Sequence, residues 1–470
     1  AGIMKAKLIS VSVAALMLSA CNMAPDMEQR ELPVAQNYDI QGTAGDINAL
    51  NWQSFFSNAQ LQQLIALTLE NNKDIKTAAL NVQQVRAMYQ IEDSALYPSI
   101  DLNASGTRQR LPADLSGTGQ ATISENYTAT VGLTAYEIDL WGKVRNQSEQ
   151  ALQNLYSAEY SLTSVRISLI SELVNAWLNY ATDKELLALA NETLKSQQES
   201  LELTRKTFAL GAASQLTLSQ LESTVATAKV DIANYQRLLK RDKNALDFLV
   251  GKTVTADLLP SESIDDVLNL PDVPVGLPSE LLTQRPDIKA AEHDLLAANA
   301  NIGVAKAAFY PSISLTANAG TASADLSNLF DSGSGTWSFV PSVNLPIFNM
   351  GRNQANLDVA KAQQEMAITS YEQTIQQAFK EVSDALADRE GYMHQLDALN
   401  DLYQSNELSF TLSDARFQKG ADSYLQVLDA QRNWYSAGQQ LILGKQAYLA
   451  SQINLYKALG GGWNAQKSVR

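Results

Sequence analysis

A long segment that contains neither proline nor glycine is the feature that most constrains the fold. It runs from Lys143 to Leu210 and ends at Gly211. At about 1.5 Å per residue, an unbroken helix of this length would extend roughly 100 Å. Apolar or aromatic side chains recur every seven residues along its second half, at Leu173, Tyr180, Leu187, Leu194, Leu201 and Phe208. A seven-residue repeat indicates a helix that packs along a partner in a left-handed supercoil, so these side chains are predicted to be core residues.

The same design is present twice in the chain. A shift of 209 positions places the six heptad residues on Val382, Arg389, Leu396, Tyr403, Phe410 and Phe417, of which only Arg389 is polar. Gly211 likewise recurs as Gly420, and the sequence Tyr-Pro-Ser-Ile at 97–100 recurs at 310–313. An internal duplication of this kind predicts two halves with equivalent structures.

Each half also carries two segments with alternating apolar and polar residues, which predict β-strands with one apolar face. These segments are 100–107, 127–135, 313–319 and 337–347. Their lengths of about eight to twelve residues match the roughly nine to eleven that a tilted strand needs to cross a membrane. Pro341 and Pro346 are predicted to lie at a bulge or a junction, because proline cannot donate to a sheet ladder. Aromatic residues stand near the predicted strand ends, where membrane barrels carry interfacial girdles: Tyr97, Tyr127, Trp141, Tyr310, Trp337 and Phe348.

The order of elements in each half is therefore a short helix, two strands, a long helix, a turn and a second short helix. The first short helix is predicted to run unbroken from Gln60 to about Ala95, and the last helix of that half ends at Gly251. The predicted divisions are a leading remnant with a signal peptide (1–20), an extended N-terminal segment (21–59), the first repeat (60–251), a proline-bearing linker (252–277), the second repeat (278–460) and a tail (461–470).

The amino terminus has the pattern of a secretory signal. Lys5 and Lys7 precede an apolar run at 8–18, which is too short to span a bilayer. The run ends in Leu-Ser-Ala-Cys, similar to a bacterial lipobox, so Cys21 is predicted to become the lipidated first residue of the mature chain. The alternative is an ordinary signal followed by a chance cysteine. By analogy with enterobacterial sorting, Asn22 favours the outer membrane.

Composition argues against several other functions. A net charge of −15 with no cluster of basic residues disfavours a nucleic-acid partner. One cysteine and two distant histidines disfavour a thiolate or imidazole metal centre, and no phosphate-binding loop, nucleophile elbow or zinc-protease motif is present. We therefore predict neither enzyme activity nor a cofactor, apart from the lipid on Cys21.

Four strands cannot close a barrel by themselves, and open sheet edges are not tolerated in lipid. Either the strands form a soluble sheet, or several chains contribute their strands to one barrel. The export signal and Cys21 favour a barrel built from the strands of several chains.

The chain resembles the outer-membrane efflux ducts typified by TolC and OprM, and the lipobox points to the lipoprotein branch. The resemblance rests on the lipobox, the duplicated Tyr-Pro-Ser-Ile, the segment Asp139–Lys143, the pattern Phe-x-x-Gly at 208–211 and 417–420, and the segment Tyr424–Arg432. It implies a mixed α/β membrane protein in which three chains form a twelve-stranded transmembrane β-barrel, continuous with a periplasmic α-helical barrel. It further implies docking through a periplasmic adaptor onto an inner-membrane transporter of the resistance-nodulation-division type, with no chemistry in the duct.

The resemblance also implies roles for residues at the far tips of the helices. Asp429 matches an acidic ring that closes the duct, Leu425 an apolar constriction and Arg432 an arginine that ties neighbouring helices. The simpler alternative is that Asp429 and Arg432 form an exposed pair worth a few tenths of a kcal/mol. Gln220 and Glu222 in the first repeat are predicted gate neighbours of Arg432.

The two turns are the predicted adaptor-contact tips, at Leu210, Gly211, Lys419 and Gly420. The glycines also fit helix ends in the left-handed conformation, and both interpretations can hold together.

Two alternative functions remain open at this point. One is a lipid-anchored coiled-coil tether without a pore, which would leave the four strands unexplained. The other keeps the duct but assigns it to protein secretion or metal-ion export.

Overall fold

The computed structural model describes residues 22–26, 33–39, 47, 50–276 and 278–463. Within that part of the chain, no helix is both long and apolar enough to cross a membrane. The first half comprises α1 (Trp52–Phe55), α2 (Ala59–Asn71), α3 (Lys73–Ser94), β1 (Asp101–Leu111), β2 (Thr122–Glu137), α4 (Lys143–Ala209) and α5 (Gln215–Val250). The second half comprises α6 (Leu281–Gln284), α7 (Pro286–Ala307), β3 (Ser312–Ser323), β4 (Gly335–Asn344), α8 (Arg352–Gln418) and α9 (Tyr424–Ala458).

The duplicated order of elements confirms the predicted repeat. The two long helices, α4 and α8, have 67 residues each. The chain folds as two compact units: one contains residues 81–158 and 290–371, and the other contains residues 159–289 and 372–463 together with residues 33–80.

The first unit is built on a single antiparallel sheet with strand order β1-β2-β3-β4. Both hairpins are sequential, and β2 pairs with β3 across the two repeats. β1 and β4 are therefore the edges, and each has one side without a partner strand in this sheet. β1 is exposed along almost its whole length, so none of the described residues covers this edge.

β2 is longer than the predicted eight to twelve residues, with 16 residues. Its first part pairs with β1 and its last part with β3, and a bulge lies between Leu133 and Tyr136, where Ala135 has a positive φ of 53°. The Ala135 N–H donates to Thr316 Oγ1 at 3.0 Å instead of to a backbone carbonyl. Bulges add local twist, which a curved sheet requires.

The prediction that Pro341 marks a bulge or junction is wrong. Pro341 lies in regular register opposite Leu315, within β4. Within one chain β4 is an edge strand, a position in which proline is commonly found. Pro346 lies in the segment after β4.

The prediction of one unbroken helix from Gln60 to Ala95 is also wrong, because α2 and α3 are separated at Asn72. Asn72 is buried and extended, with φ −61° and ψ 139°. Its Oδ1 accepts from the N–H groups of Asp74 and Ile75 at 2.8 and 3.2 Å, and its Nδ2 donates to the Leu249 carbonyl at 2.7 Å. The side chain thus caps α3 and anchors it to the end of α5.

The second repeat breaks its helix at the equivalent position by different means. Arg285 is extended, with φ −97° and ψ 120°, because Pro286 follows it. Its guanidinium is buried and donates to Asp287, Glu381 and the carbonyl of Ala458.

Glycine and proline without a sustained period predicted that the N-terminal segment, 22–59, runs extended over the surface. The structure differs, because several of its described residues are buried. Ile47, Phe55 and Phe56 are fully buried in the second unit. Phe55 stacks on Tyr456 with ring centroids 4.1 Å apart, and the Tyr456 hydroxyl donates to the Leu50 carbonyl at 3.0 Å. This segment is therefore part of the core.

The linker is tied to both long helices by side chains. Trp177 Nε1 on α4 donates to the Leu258 carbonyl at 3.1 Å, and Arg389 on α8 bonds to Asp272 at 3.0 Å. Arg389, the one polar member of the second heptad series, is thus a partner for the linker.

Candidate functional site

The sheet has one apolar and one polar face. Paired residues of an antiparallel sheet point to the same side, so the register places Leu102, Val131, Ala319 and Trp337 in one continuous apolar row. The neighbouring row on the opposite face consists of Asn103, Thr130, Gly320 and Thr336. The apolar face is open to its surroundings, since Leu102 and Trp337 are each 78% exposed. A sheet with an uncovered apolar face and a polar back has the character of a membrane barrel wall.

Strand length supports the same interpretation. β3 has twelve residues, which extend roughly 36 Å at about 3.3 Å each. Tilted by about 40°, such a strand covers roughly 28 Å along the membrane normal, close to the ~25 Å apolar band of outer-membrane barrels.

The predicted interfacial aromatics divide between the two ends of the sheet. Trp141 and Tyr310 stack with centroids 4.8 Å apart, and Trp141 Nε1 donates to the Pro311 carbonyl at 2.8 Å. Tyr97 and Phe348 lie outside the strands at this same end and are exposed.

Trp337 lies near the start of β4, at the other end of the sheet. Tyr127, predicted to lie at a strand end, instead lies inside β2, because this strand begins at Thr122. The Tyr127 ring lies against Gly106 of the neighbouring strand, on the apolar face.

The two predicted adaptor-contact tips share one backbone geometry. Gly211 and Gly420 have φ values of 75° and 72°. The N–H of the following residue reaches back five positions, from Ala212 to the Thr207 carbonyl and from Ala421 to the Arg416 carbonyl, both at 2.9 Å. These are helix-ending Schellman turns, which need glycine at the left-handed position. Leu210 is 83% exposed and Lys419 is also exposed.

A small apolar cluster lies just inside the tips. Leu201 of α4, Leu218, Leu221 and Val225 of α5, and Leu428 of α9 form its buried core. The cluster joins the start of α9 to the first-repeat helices. Three of the predicted gate residues, Leu425, Asp429 and Arg432, lie on this same part of α9.

The predicted gate residues on α9 remain about half exposed within one chain. Leu425 is 47% exposed, and Arg432 lies 3.7 Å from Asp429, the residue one turn earlier. Glu222 bonds to Arg205 at 3.1 Å, so within one chain its described partner is not Arg432. Gln220 lies on α5 and is half-buried.

The second tip is reinforced by contacts that the sequence did not predict. Arg416 holds Asp422 across the turn at 2.9 Å, and this bond lowers the pKa of the Asp422 carboxyl. Phe417 packs edge-to-face on Tyr424 with centroids 5.1 Å apart. An arginine six residues before an aspartate across a glycine turn is the signal that could have found this clamp.

The sequence also did not predict a row of polar contacts along α9. Gln431 Nε2 donates to Ser196 Oγ at 3.2 Å, the Tyr435 hydroxyl to Asp231 Oδ2 at 2.9 Å, and Gln439 Nε2 to the Tyr235 hydroxyl at 2.9 Å. The donors are four residues apart and therefore share one face of α9. That spacing was visible in the sequence, but the partners on α4 and α5 were not.

Two further predictions concern other parts of the chain. Cys21, the predicted lipidation site, lies outside the described residues. Among the residues that the structure does describe, no group of three or more histidine, cysteine or carboxylate side chains could hold a metal ion.

Comparison with known proteins places this geometry in context. The family model described as outer membrane efflux protein matches residues 64–252 and 277–461. The toluene efflux pump outer membrane protein TtgC of Pseudomonas putida is 46% identical over 471 residues, covering 98% of this chain and 97% of that protein. The antibiotic efflux pump outer membrane protein ArpC of Pseudomonas putida has the same identity and coverage. The crystal structure of the open state of the Neisseria gonorrhoeae MtrE outer membrane channel matches with a TM-score of 0.87 and 37% identity, over 94% of this chain and 98% of that one.

Proposed function

The chain belongs to the outer membrane efflux protein family, and we propose that three copies of it form the exit duct of a tripartite pump that expels small apolar molecules and drugs. It is an outer membrane channel of an efflux pump. The finer points proposed here are the trimer, the adaptor and inner-membrane transporter that dock on it, the lipid on Cys21 and the gate at the tips.

The observation that carries the proposal is the four-stranded sheet with two unpaired edges and an exposed apolar face. In lipid each edge must find a partner. β1 and β4 run in opposite directions, so β4 of one copy can pair antiparallel with β1 of the next. Repeating this contact closes a barrel with the polar face inside.

Barrel size supports three copies over two. Two copies would give eight strands, and the interior of such a barrel is filled by side chains. Three copies give twelve strands, which at about 4.8 Å spacing and a tilt of about 40° form a barrel of roughly 12 Å backbone radius. Lined by Asn103, Thr130 and Thr336, such a lumen would hold water and pass small molecules.

Family membership favours the duct over the pore-free tether, because the family's members are transport channels. The names of the two Pseudomonas relatives specify toluene and antibiotics. We therefore propose apolar solvents and antibiotics as cargo, in preference to proteins or metal ions. The duct supplies a path and a gate, while the transporter selects the cargo and supplies energy.

The test has two parts. Light scattering of the purified protein in detergent should give a protein mass of three mature chains, and planar bilayers should show discrete conductance steps. In cells that lack their own outer-membrane efflux channel, the chain expressed with its adaptor and transporter should restore resistance to toluene and to antibiotics. A monomer without conductance would refute the duct, and a conducting trimer that restores no resistance would refute the cargo.

A further inference from the structure

The segments that connect the last strand to the long helix differ sharply between the two repeats. Residues 136–143 lead from the end of β2 into α4, and residues 345–352 lead from β4 into α8 at the 209-residue offset. Glu137 and Asp139 of the first segment correspond to Pro346 and Phe348 of the second. The second copy therefore has apolar residues in place of both carboxylates.

In the first repeat, the two carboxylates are used within the chain. Lys143 Nζ lies 3.0 Å from Glu137 Oε2. Asp139 Oδ2 accepts from both the backbone N–H and the Nε of Arg145, at 2.9 and 3.2 Å, and the Asp139 side chain is only 12% exposed. The carboxylates of this segment are therefore neutralised by basic residues of the same chain, Lys143 and Arg145.

In the second repeat, the corresponding segment is open and apolar. Ile347 is 92% exposed, against 38% for its counterpart Ile138. We define the second-repeat collar as the four apolar residues of this segment, which are 50–92% exposed: Leu345, Ile347, Phe348 and Met350.

Arg352 follows the collar at the position of Lys143. It is exposed, and among the described residues it has no carboxylate partner. Its side chain lines a cavity of about 300 Å³ together with Trp141, Tyr310 and Pro346. Glu137 and Asp139 line it too, but they are bonded to Lys143 and Arg145. The same cavity includes the stacked aromatic pair at the end of the membrane sheet.

We propose that the second-repeat collar docks on the periplasmic leaflet of the outer membrane, with its apolar side chains among the acyl chains and Arg352 on a phospholipid phosphate. Two observations select a lipid as the occupant. The collar continues directly from the exposed apolar face of β4, and its end carries a cation, Arg352, that has no carboxylate partner in the described part of the chain and lies beside interfacial aromatics. Membrane interfaces favour this arrangement, in which apolar groups lie at the acyl boundary and a cation lies at headgroup level. The first-repeat segment, with its charges already paired, has no such role.

The inference rests on the membrane placement proposed above, and photocrosslinking tests it. The full chain is prepared with p-benzoylphenylalanine in place of Ile347, in nanodiscs of phosphatidylethanolamine and phosphatidylglycerol, and irradiated. Mass spectrometry should show phospholipid adducts at least about five-fold more abundant than with the same replacement at Ile138. Adducts with a neighbouring copy of the chain, or equal lipid adducts at both positions, would overturn the proposal.

A second measurement tests the phosphate contact. Native mass spectrometry of Arg352→Gln should show retention of phospholipid about five-fold lower than wild type, since one basic residue at a membrane surface contributes about that factor. Lys143→Gln should retain wild-type levels, because Lys143 is committed to Glu137. Equal loss in both variants would overturn the contact. Conductance is measured on the same preparations. If a variant loses lipid but still conducts, only the lipid contact is affected, and loss of conductance in the wild-type protein would instead count against the duct.

Discussion

Arg432 Nη1 lies 3.7 Å from Asp429 Oδ1, one turn apart on α9, and both side chains are about half exposed. An exposed pair at this distance contributes little to the stability of one chain. Its value would come from assembly, where three copies of each charge would meet around the axis of the proposed trimer. Three carboxylates held close together repel one another unless cations or arginines lie between them.

We expect the double variant Asp429→Ala, Arg432→Ala to raise single-channel conductance in planar bilayers and to make cells more permeable to large antibiotics. The cause would be loss of the ties that hold the α9 segments together at the tip. The control is Lys380→Ala, Asp384→Ala, which removes an exposed pair of the same kind from α8. Unchanged conductance in the gate variant, or an equal rise in the control, would remove the gate assignment.

Stability should depend on pH through two carboxyl groups that share a hydrogen bond, Asp183 on α4 and Asp242 on α5. Burial and the neighbouring Asp183 raise the pKa of Asp242 to about 7, against 3.8 in the unfolded chain, despite the opposing effect of Arg241. The folded state therefore binds the extra proton more tightly than the unfolded state does. The stabilisation is complete below about pH 4 and is lost as the pH rises through about 7.

Accordingly, Asp242→Asn should raise the unfolding temperature at pH 8 and raise it by clearly less at pH 5, where the protonated carboxyl of the folded state keeps most of its advantage. After allowance for solvent screening, the gain at pH 8 is on the order of 1–2 kcal/mol. Thermal unfolding in detergent at the two pH values measures it. Asp247→Asn is the matched control with the opposite sign, because burial is outweighed there by bonds from Lys243 and the Val254 N–H, which lower the pKa of Asp247. An equal gain in stability of Asp242→Asn at pH 5 and pH 8 would contradict the raised pKa of Asp242.

Two glycine-to-alanine substitutions should have opposite effects on stability. Gly211 has a φ of 75° and open space around it, so Gly211→Ala should cost about 1 kcal/mol of backbone strain and no steric clash. Gly391 lies inside α8 with open space around it, so Gly391→Ala should stabilise by up to about 1 kcal/mol. Denaturant unfolding of both variants tests the pair, and a stabilising Gly211→Ala would show that the turn does not need the left-handed conformation.

The helix break at Asn72 should be energetically important. Asn72→Ala removes one cap and leaves the Leu249 carbonyl without its donor, at a cost of about 2–3 kcal/mol. Asn71→Ala removes only a bond within α2, to the Leu67 carbonyl, and should cost less than about 1 kcal/mol. Unfolding temperatures of the two variants, measured side by side, should differ clearly; equal values would mean that α2 and α3 need no cap.

Much of this architecture could be read from local patterns. The absence of proline and glycine between Lys143 and Leu210 predicted one long helix, and α4 spans Lys143–Ala209, within one residue of that stretch. Alternation with period two predicts the two faces of the sheet, since successive side chains of a strand must point to opposite sides. The glycines at the two tips and at Gly251 mark the ends of the helices because only glycine adopts the left-handed conformation without strain.

What only the tertiary structure decided are the pairings between residues far apart in sequence. Nothing local to Glu222 indicates that its partner is Arg205, and nothing local to Asn72 indicates that Leu249 accepts its hydrogen bond. The periodicity of a helix or strand follows from backbone geometry within a few residues, so the sequence alone determines it. The identity of a distant partner depends on how completed elements pack, and the free-energy differences among such packings are not encoded in any short stretch of chain.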